Sequence, residues 1–289
     1  MKKMTPAAWA MLAPMHLLLA AVIAVPSLYV FWLSLHESSY GTGLAWVGFD
    51  NYALVFADPA FWRAFWNTFW LVNGVVYAEM LLGLALALLF ASGLRHKRLM
   101  FAIVLMPYAV SEVVGALAWK IMMNASYGPL GRLLQDAGIP FAWSSSPTQG
   151  LVLAGLVSVW HHLPFTFLLL YAGLLSIPQS IYEAARMDGA SAWQSFVRIT
   201  LPLLVPALLI TVIFRLVFSF RIFSEVWLIT RGGPARLSEV LAVYLYQGAF
   251  RNGDFGPAAA TGWIMVAGSL LMASLYLFFM HKRMASPHG

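Results

Sequence analysis

Long apolar runs alternate with short polar breaks along this chain: apolar residues fill positions 9–35, then 68–92, 99–123, 149–175, 203–230 and 259–281. Each run exceeds the ~20 residues that a helix needs to cross a bilayer core, so the pattern predicts an all-α membrane protein with six transmembrane helices. The first run is too long for the ~7 to 15 residue core of a signal peptide and reads as a retained helix, kinked at Pro14 and Pro26. Six crossings put both termini on one side. No segment repeats another, and residues 1–289 read as a single transmembrane domain.

Between the fourth and fifth runs lies a polar island, PQSIYEAARMDGASAWQSFVRITLPLLVP, from Pro178 to Pro206. Ser180 followed by Glu183, and Ser191 followed by Gln194, have the spacing of capping boxes, so two short helices are expected. Asp188-Gly189 between them supplies a residue that tolerates positive φ, and Leu201-Pro202 is expected to stop the second helix. Helices this short are marginal unless something packs on them.

The residues of this island, Glu183-Ala184-Ala185, Asp188-Gly189-Ala190, Phe196, Ile199, Leu201-Pro202 and Pro206, closely resemble the cytoplasmic loop of permease subunits of bacterial binding-protein-dependent ATP-binding-cassette importers. The spacing is similar to that of the carbohydrate-uptake branch, the maltose and glycerol-3-phosphate permeases. A second block supports the resemblance: Thr230, Gly232-Gly233-Pro234, Tyr244, Tyr246-Gln247, Ala249-Phe250, Phe255-Gly256 and Ala258-Ala259-Ala260. Where that pattern has Phe-Asp, this chain has Phe223-Ser224, with the acid displaced to Glu225. The segment 47–69 also resembles the family, whose short interfacial helix would here end at Asn67-Thr68, and Trp119 to Gly131 is similar to a further family pattern.

The resemblance implies a type I importer permease fold, with a coupling helix in the loop 176–202 that sits in a cleft on an ATPase subunit. Glu183, Ala184, Ala185, Asp188 and Gly189 would make that contact, with Glu183 polar, the alanines allowing close approach and Gly189 forming the bend. It also implies a second homologous permease, two ATPase copies, and a periplasmic or lipid-anchored binding protein that delivers a sugar, sugar derivative or polyol. The chain would bind no cofactor itself, ATP and magnesium belonging to the partner ATPases.

Composition agrees with the apolar pattern. Only 10% of the residues are charged, against roughly 25% in soluble domains, while 61% are hydrophobic. Cysteine is absent, which removes disulfides, thiolate metal sites and thiol nucleophiles. The net charge of +6 is read through membrane topology and not as a nucleic-acid footprint. With the N-terminus inside, Lys2, Lys3, Arg95, Lys97, Arg98, Arg186, Arg198, Lys282 and Arg283 are cytoplasmic. Arg63, Arg132, Arg231, Arg236 and Arg251 fall outside, spread over longer loops. The expected orientation in the bacterial inner membrane is therefore both termini in, which also places the 178–206 island on the cytoplasmic side. The aromatic residues of 36–67 suit the headgroup level and are read as lipid anchors.

Ionisable side chains at bilayer depth cost some ~2.5 to 3.5 kcal/mol each on the insertion scale, so each needs a partner or a wet cavity. Glu79, Glu112, His161, His162 and Arg215 lie mid-span, and Arg221 and Glu225 lie further along the same run as Arg215. Arg221 and Glu225, four apart, have the spacing of a local ion pair, which stands as the alternative to a pathway role for Arg221. Glu79 is read as a helix-to-helix contact, and Glu112 with Arg215 as a pair or as lining of one cavity. A translocation path built from Glu112, Trp119, His161, Tyr171, Arg215 and Arg221 is the resulting expectation, with aromatic faces stacking on a sugar ring and polar groups bonding its hydroxyls.

Two other functional classes require features that this sequence lacks. An ion-driven transporter would show inverted repeats or broken helices at matching positions of two halves, and the sequence displays neither. An intramembrane hydrolase lacks H-E-x-x-H and G-x-S-x-G, and adjacent His161 and His162 are expected not to face one metal from one helix, so no metal site is assigned. No Walker A lysine is present either, so this chain does not itself hydrolyse ATP.

Overall fold

The computed structural model describes residues 6–40 and 44–285; Lys2 and Lys3, which enter the expected orientation, lie outside them. The chain packs as two units, Met1–Trp62 with Tyr244–Val266, and Arg63–Val243 with Ala267–Gly289.

In the first unit, α1 (Pro6–Ser34) carries exposed apolar side chains on all its faces, among them Leu17, Val22, Ile23 and Leu28, as suits a helix surrounded by lipid. A small hairpin follows, β1 (His36–Glu37) antiparallel to β2 (Ala45–Trp46), and then α2 (Asp50–Ala57). The buried Asn51 amide ties α2 back by donating to the carbonyls of Ser34 and His36, each at 2.9 Å. The Phe255 amide donates to Ser38 O at 2.8 Å and Tyr244 donates to Asp58 Oδ2 at 2.7 Å, joining the two chain segments of this unit.

Helix α3 (Pro59–Ala91) begins nine residues before the apolar run at 68. Asp58 accepts the Ala60 amide at 2.8 Å, and Pro59 fits a first helical turn, so the helix starts there. Asn67-Thr68 therefore lies inside α3 and does not end an interfacial helix. Its side chains serve another purpose: Asn67 donates to the carbonyls of Leu237 and Glu239, and Thr68 accepts the Leu241 amide, pinning the chain before α12 (Leu241–Tyr246).

The third apolar run is not one straight helix. It folds as α4 (Lys97–Ala109) and α5 (Glu112–Met122), which meet at 97° across Val110-Ser111. Helix α6 (Pro129–Asp136) leads to α7 (Pro147–Leu175), the central helix of the second unit, against which α4 and α5 pack. Helix α8 (Gln179–Met187) follows, then α9 (Ala192–Ser195), a π-turn over Phe196–Thr200, and α10 (Leu201–Ser219) without interruption.

Leu201-Pro202 thus fails to stop the helix. Proline lacks the amide that an α-helix would use and its ring crowds the preceding turn; the π-turn ahead of it widens the helix there, and Ala192–Ser219 runs on as a 28-residue element. The fifth apolar run also breaks, because α10 ends at Ser219 and α11 (Ser224–Ile229) packs against α5 and α7. Lys120 donates to Leu228 O at 2.6 Å and covers the open C-terminal end of α11. A second π-turn, Gln247–Asn252, precedes α13 (Phe255–Ala285). Among the described residues, five helices can cross a membrane by length and composition, and the bent α4–α5 pair would make a sixth.

Apolar clusters hold the second unit. One gathers Ala116, Leu153, Ala154, Val157, Val226 and Val243; another gathers Phe90, Phe167, Leu170, Tyr171 and Leu204. Between α3, α7 and α10 a charged pair lies buried. Arg215 Nη2 donates to Glu79 Oε1 at 2.7 Å while its Nε bonds to Oε2, and Thr166 donates to the same carboxylate at 3.5 Å. Gly83 permits that approach, since a Cβ there would stand 2.8 Å from Thr166 Cγ2. Glu79 is the helix-to-helix contact expected of it, but its partner is Arg215, so Arg215 does not pair with Glu112.

Removing one member of a buried pair costs about 3 to 5 kcal/mol because the other charge is stranded, whereas replacing both with apolar residues is often nearly neutral. Glu79→Leu and Arg215→Met should each lower the thermal midpoint of the detergent-solubilised protein markedly, and the double variant should recover most of the loss. Singles as stable as the parent would show that the pair does not hold the three helices.

Candidate functional site

The two helix breaks face one another across a cavity of about 890 Å³. Tyr108 closes α4, Glu112 opens α5, Ser158, His161, His162 and Phe165 project from α7, Phe214, Arg215 and Phe218 from α10, and Arg221 to Glu225 form the turn into α11; all of them line it. Backbone that leaves the helix at membrane depth is tolerated where it lines such a space, and both breaks do so here.

Four of the six expected path residues are gathered here: Glu112, His161, Arg215 and Arg221. Trp119 and Tyr171 are not among the lining residues. Trp119 packs against the apolar cluster of α5, α7 and α11, edge to face with Trp160 at 6.0 Å, because α5 turns that face towards its neighbours. Tyr171 is buried in the second cluster, stacked on Phe167 at 5.6 Å, with Lys97 over its ring at 4.9 Å. Depth along a helix does not fix facing.

Arg221 and Glu225 form no ion pair among the described residues. The helix that would have aligned them ends at Ser219; Arg221 lies over the Phe218 ring at 5.5 Å, and Glu225 is buried at the first turn of α11. Arg215 extends to Ser219 at 3.2 Å. Aromatic faces are supplied instead by Tyr108 and Phe165, stacked at 6.3 Å, and by Phe214 and Phe218, stacked at the same distance.

His162, which the sequence left unassigned, faces the cavity beside His161. Its Nδ1 bonds to Ser158 O at 3.0 Å and its Nε2 stands 3.6 Å from Glu112 Oε1. One ligand atom from each of Glu112, His161 and His162 lies within 4.8 Å of the others, so the two adjacent histidines do converge, contrary to the expectation from helical spacing. Glu112 reaches them from α5, which the 97° bend swings across α7.

Away from the cavity, the 176–202 loop has a defined shape. Ser191 and Gln194 form the expected capping box, Ser191 Oγ accepting the Gln194 amide at 3.2 Å and Gln194 Oε1 accepting the Ser191 amide at 2.8 Å. The Ser180 box does not form. Pro178 occupies the cap position and its carbonyl accepts the Ile181 amide, so α8 begins before Ser180. Gly189 adopts φ +78°, and no atom lies within 4 Å of where its Cβ would be. Tyr182 bonds to Thr200 at 3.0 Å, bracing α8 on the π-turn. Glu183, Ala184, Asp188 and Gly189 are exposed, while Ala185 is buried against the rest of the chain. Met187 and Trp193, large apolar residues that the sequence reading passed over, are exposed at 89% and 71% on the same stub.

Comparison with known proteins gives this arrangement its context. The model of the family described as binding-protein-dependent transport system inner membrane component matches residues 79–284. The trehalose/maltose transport system permease protein MalF of Thermococcus litoralis is 33% identical over 269 residues, covering 92% of this chain and 91% of that protein. The trehalose transport system permease protein SugA of Mycobacterium tuberculosis is 32% identical over 284 residues, covering 98% and 90%. A crystal structure of a bacterial alginate importer in complex with an alginate pentasaccharide-bound periplasmic protein contains a chain that superposes with a TM-score of 0.83 at 21% identity, covering 97% of this chain and 96% of that one. The chain belongs to the family of binding-protein-dependent transport system inner membrane components.

Proposed function

We propose that this chain is one permease half of an ATP-driven importer of a sugar, sugar derivative or polyol, folded as one permease domain of six crossings, α4 and α5 together making the third. The cavity at the two helix breaks carries this reading: polar groups from α5, α7, α10 and α11 converge beside two stacked aromatic pairs, a surface suited to a ligand with hydroxyls on one side and C–H faces on the other. The sugar named for each of the two relatives supports the substrate class. Glu112, His161 and Arg221 would meet the ligand. Arg215, spoken for by Glu79, would shape the wall.

The remaining assembly follows from what this chain lacks. It has no phosphate-binding loop, so two ATPase subunits would supply the power stroke, with ATP and magnesium bound there. A second permease would complete the pathway, and a binding protein would deliver substrate from outside. Both termini would be cytoplasmic in the bacterial inner membrane. The contact with the ATPase would be made by Glu183, Ala184, Asp188 and Gly189 together with exposed Met187 and Trp193, a small apolar knob with a polar rim. Ala185 would act from behind, by letting α8 sit close to its own scaffold.

Two outcomes test this. Gly189→Val should abolish uptake into proteoliposomes while the protein remains in the membrane, because a β-branched residue resists φ +78°, whereas Gly189→Asn should keep most of it. Equal activity of the two variants would remove the bend from the mechanism. Arg221→Ala should reduce uptake at limiting substrate severalfold without lowering Tm, since its guanidinium is exposed. An unchanged transport rate would take Arg221 out of the path.

A further inference from the structure

We propose that Glu112, His161 and His162 form a binding site for a divalent transition metal ion of the zinc class, and that an ion held there fastens α5 to α7 and arrests transport. One ligand atom from each residue lies within 4.8 Å of the others. The donor set, two imidazoles and a carboxylate, is one that binds zinc with a further position left open, here towards the cavity.

Two observations beyond proximity point to a cation. The first is the orientation of His162. A backbone carbonyl only accepts, so the bond to Ser158 O puts a ring proton on Nδ1, and in the neutral ring this leaves the Nε2 lone pair directed to Glu112, 3.6 Å away. Donation from the far ring nitrogen to a backbone carbonyl is how metal-binding histidines are held. Two acceptors thus face each other at a separation close to the ~3.3 Å edge expected between ligands at zinc bond lengths of about 2.0 to 2.1 Å in tetrahedral geometry. The second is His161. It is 7% exposed and its ring is hydrogen-bonded to the Pro107 backbone, yet its Nδ1 is buried with no hydrogen-bond partner. Such a group normally finds a partner.

The consequence for motion follows from where the ligands sit. Glu112 is the first residue after the 97° break, whereas both histidines belong to α7, around which α4, α5, α10 and α11 pack. A metal joining them would lock the break in its present angle. It would also occupy the wall of the cavity that the substrate must pass.

The test uses the assembled importer, stripped of metal with a chelator and reconstituted in nanodiscs. Zinc binding by equilibrium dialysis should show an added ion per permease at micromolar free zinc, with magnesium failing to compete at millimolar levels. Glu112→Gln should weaken that binding at least tenfold, and His162→Ala should do the same. Glu112 is half-exposed, so its variant is expected to keep the parent's Tm and serves if the histidine variant folds poorly. Cobalt added in place of zinc should give the intense visible bands of a four-coordinate site. Identical zinc stoichiometry and affinity in parent and Glu112→Gln would overturn the site, as would octahedral cobalt spectra. In proteoliposomes zinc should slow uptake by the parent at least fivefold and leave the residual uptake of Glu112→Gln unaffected. Zinc that binds without slowing the parent would overturn the arrest while leaving the site standing. The uptake arm rests on the transporter reading and the binding arm does not, so the two can fail separately.

Discussion

A buried guanidinium and carboxylate, Arg215 and Glu79, set the terms on which three helices meet. In a medium without water neither charge can stand alone, and their mutual attraction is strong only if the geometry is close. The chain meets that condition by bringing α3 and α7 together at Gly83, adding the Thr166 hydroxyl to the carboxylate, and extending Arg215 to Ser219. Once that junction is fixed, the polar wall of the cavity has its base, because Arg215 is at once the third helix's anchor and part of the lining. The pair also neutralises Arg215, and the other ionisable groups of the lining are Glu112, the two histidines, Arg221 and Glu225.

The breaks in α4–α5 and α10–α11 are the other half of the design. A straight helix satisfies its own backbone and offers only side chains; a broken one exposes helix ends. Here both breaks border the same space, and α11 has a last-turn carbonyl taken by Lys120 while its first turn borders the cavity.

Hydropathy revealed how many apolar segments exist and roughly where they lie, because the bilayer core demands length and little else. It could not reveal direction. The 99–123 run is apolar on both sides of Val110-Ser111, so nothing in its composition marks a turn, although Pro107 ahead and Ser111-Glu112 behind were the available signals. Arg221 and Glu225 were paired on a spacing that holds only inside a helix, and α10 ends two residues before the first of them. Glu79 and Arg215 are 136 residues apart, a separation over which no local rule operates. Trp119 and Tyr171 were chosen by residue type and depth, and both face apolar neighbours. By contrast the Ser191–Gln194 box is a local device, and it formed as written. Convergence of His161 and His162 was missed because successive residues diverge by about a quarter turn on an α-helix, and side-chain torsions, which sequence does not carry, close that gap.

The uninterrupted path from Ala192 to Ser219 has a mechanical meaning. Trp193, exposed at the start of this element, and Arg215, at the cavity wall, sit on one rod about 33 Å apart at 1.5 Å per residue. On the proposed coupling, a tilt of some 5° at the motor end would displace the far end by about 3 Å, the width of a hydrogen bond. No chain of intermediary contacts would then be required: the stub and the wall would be two ends of one crowbar, with the π-turn near its handle.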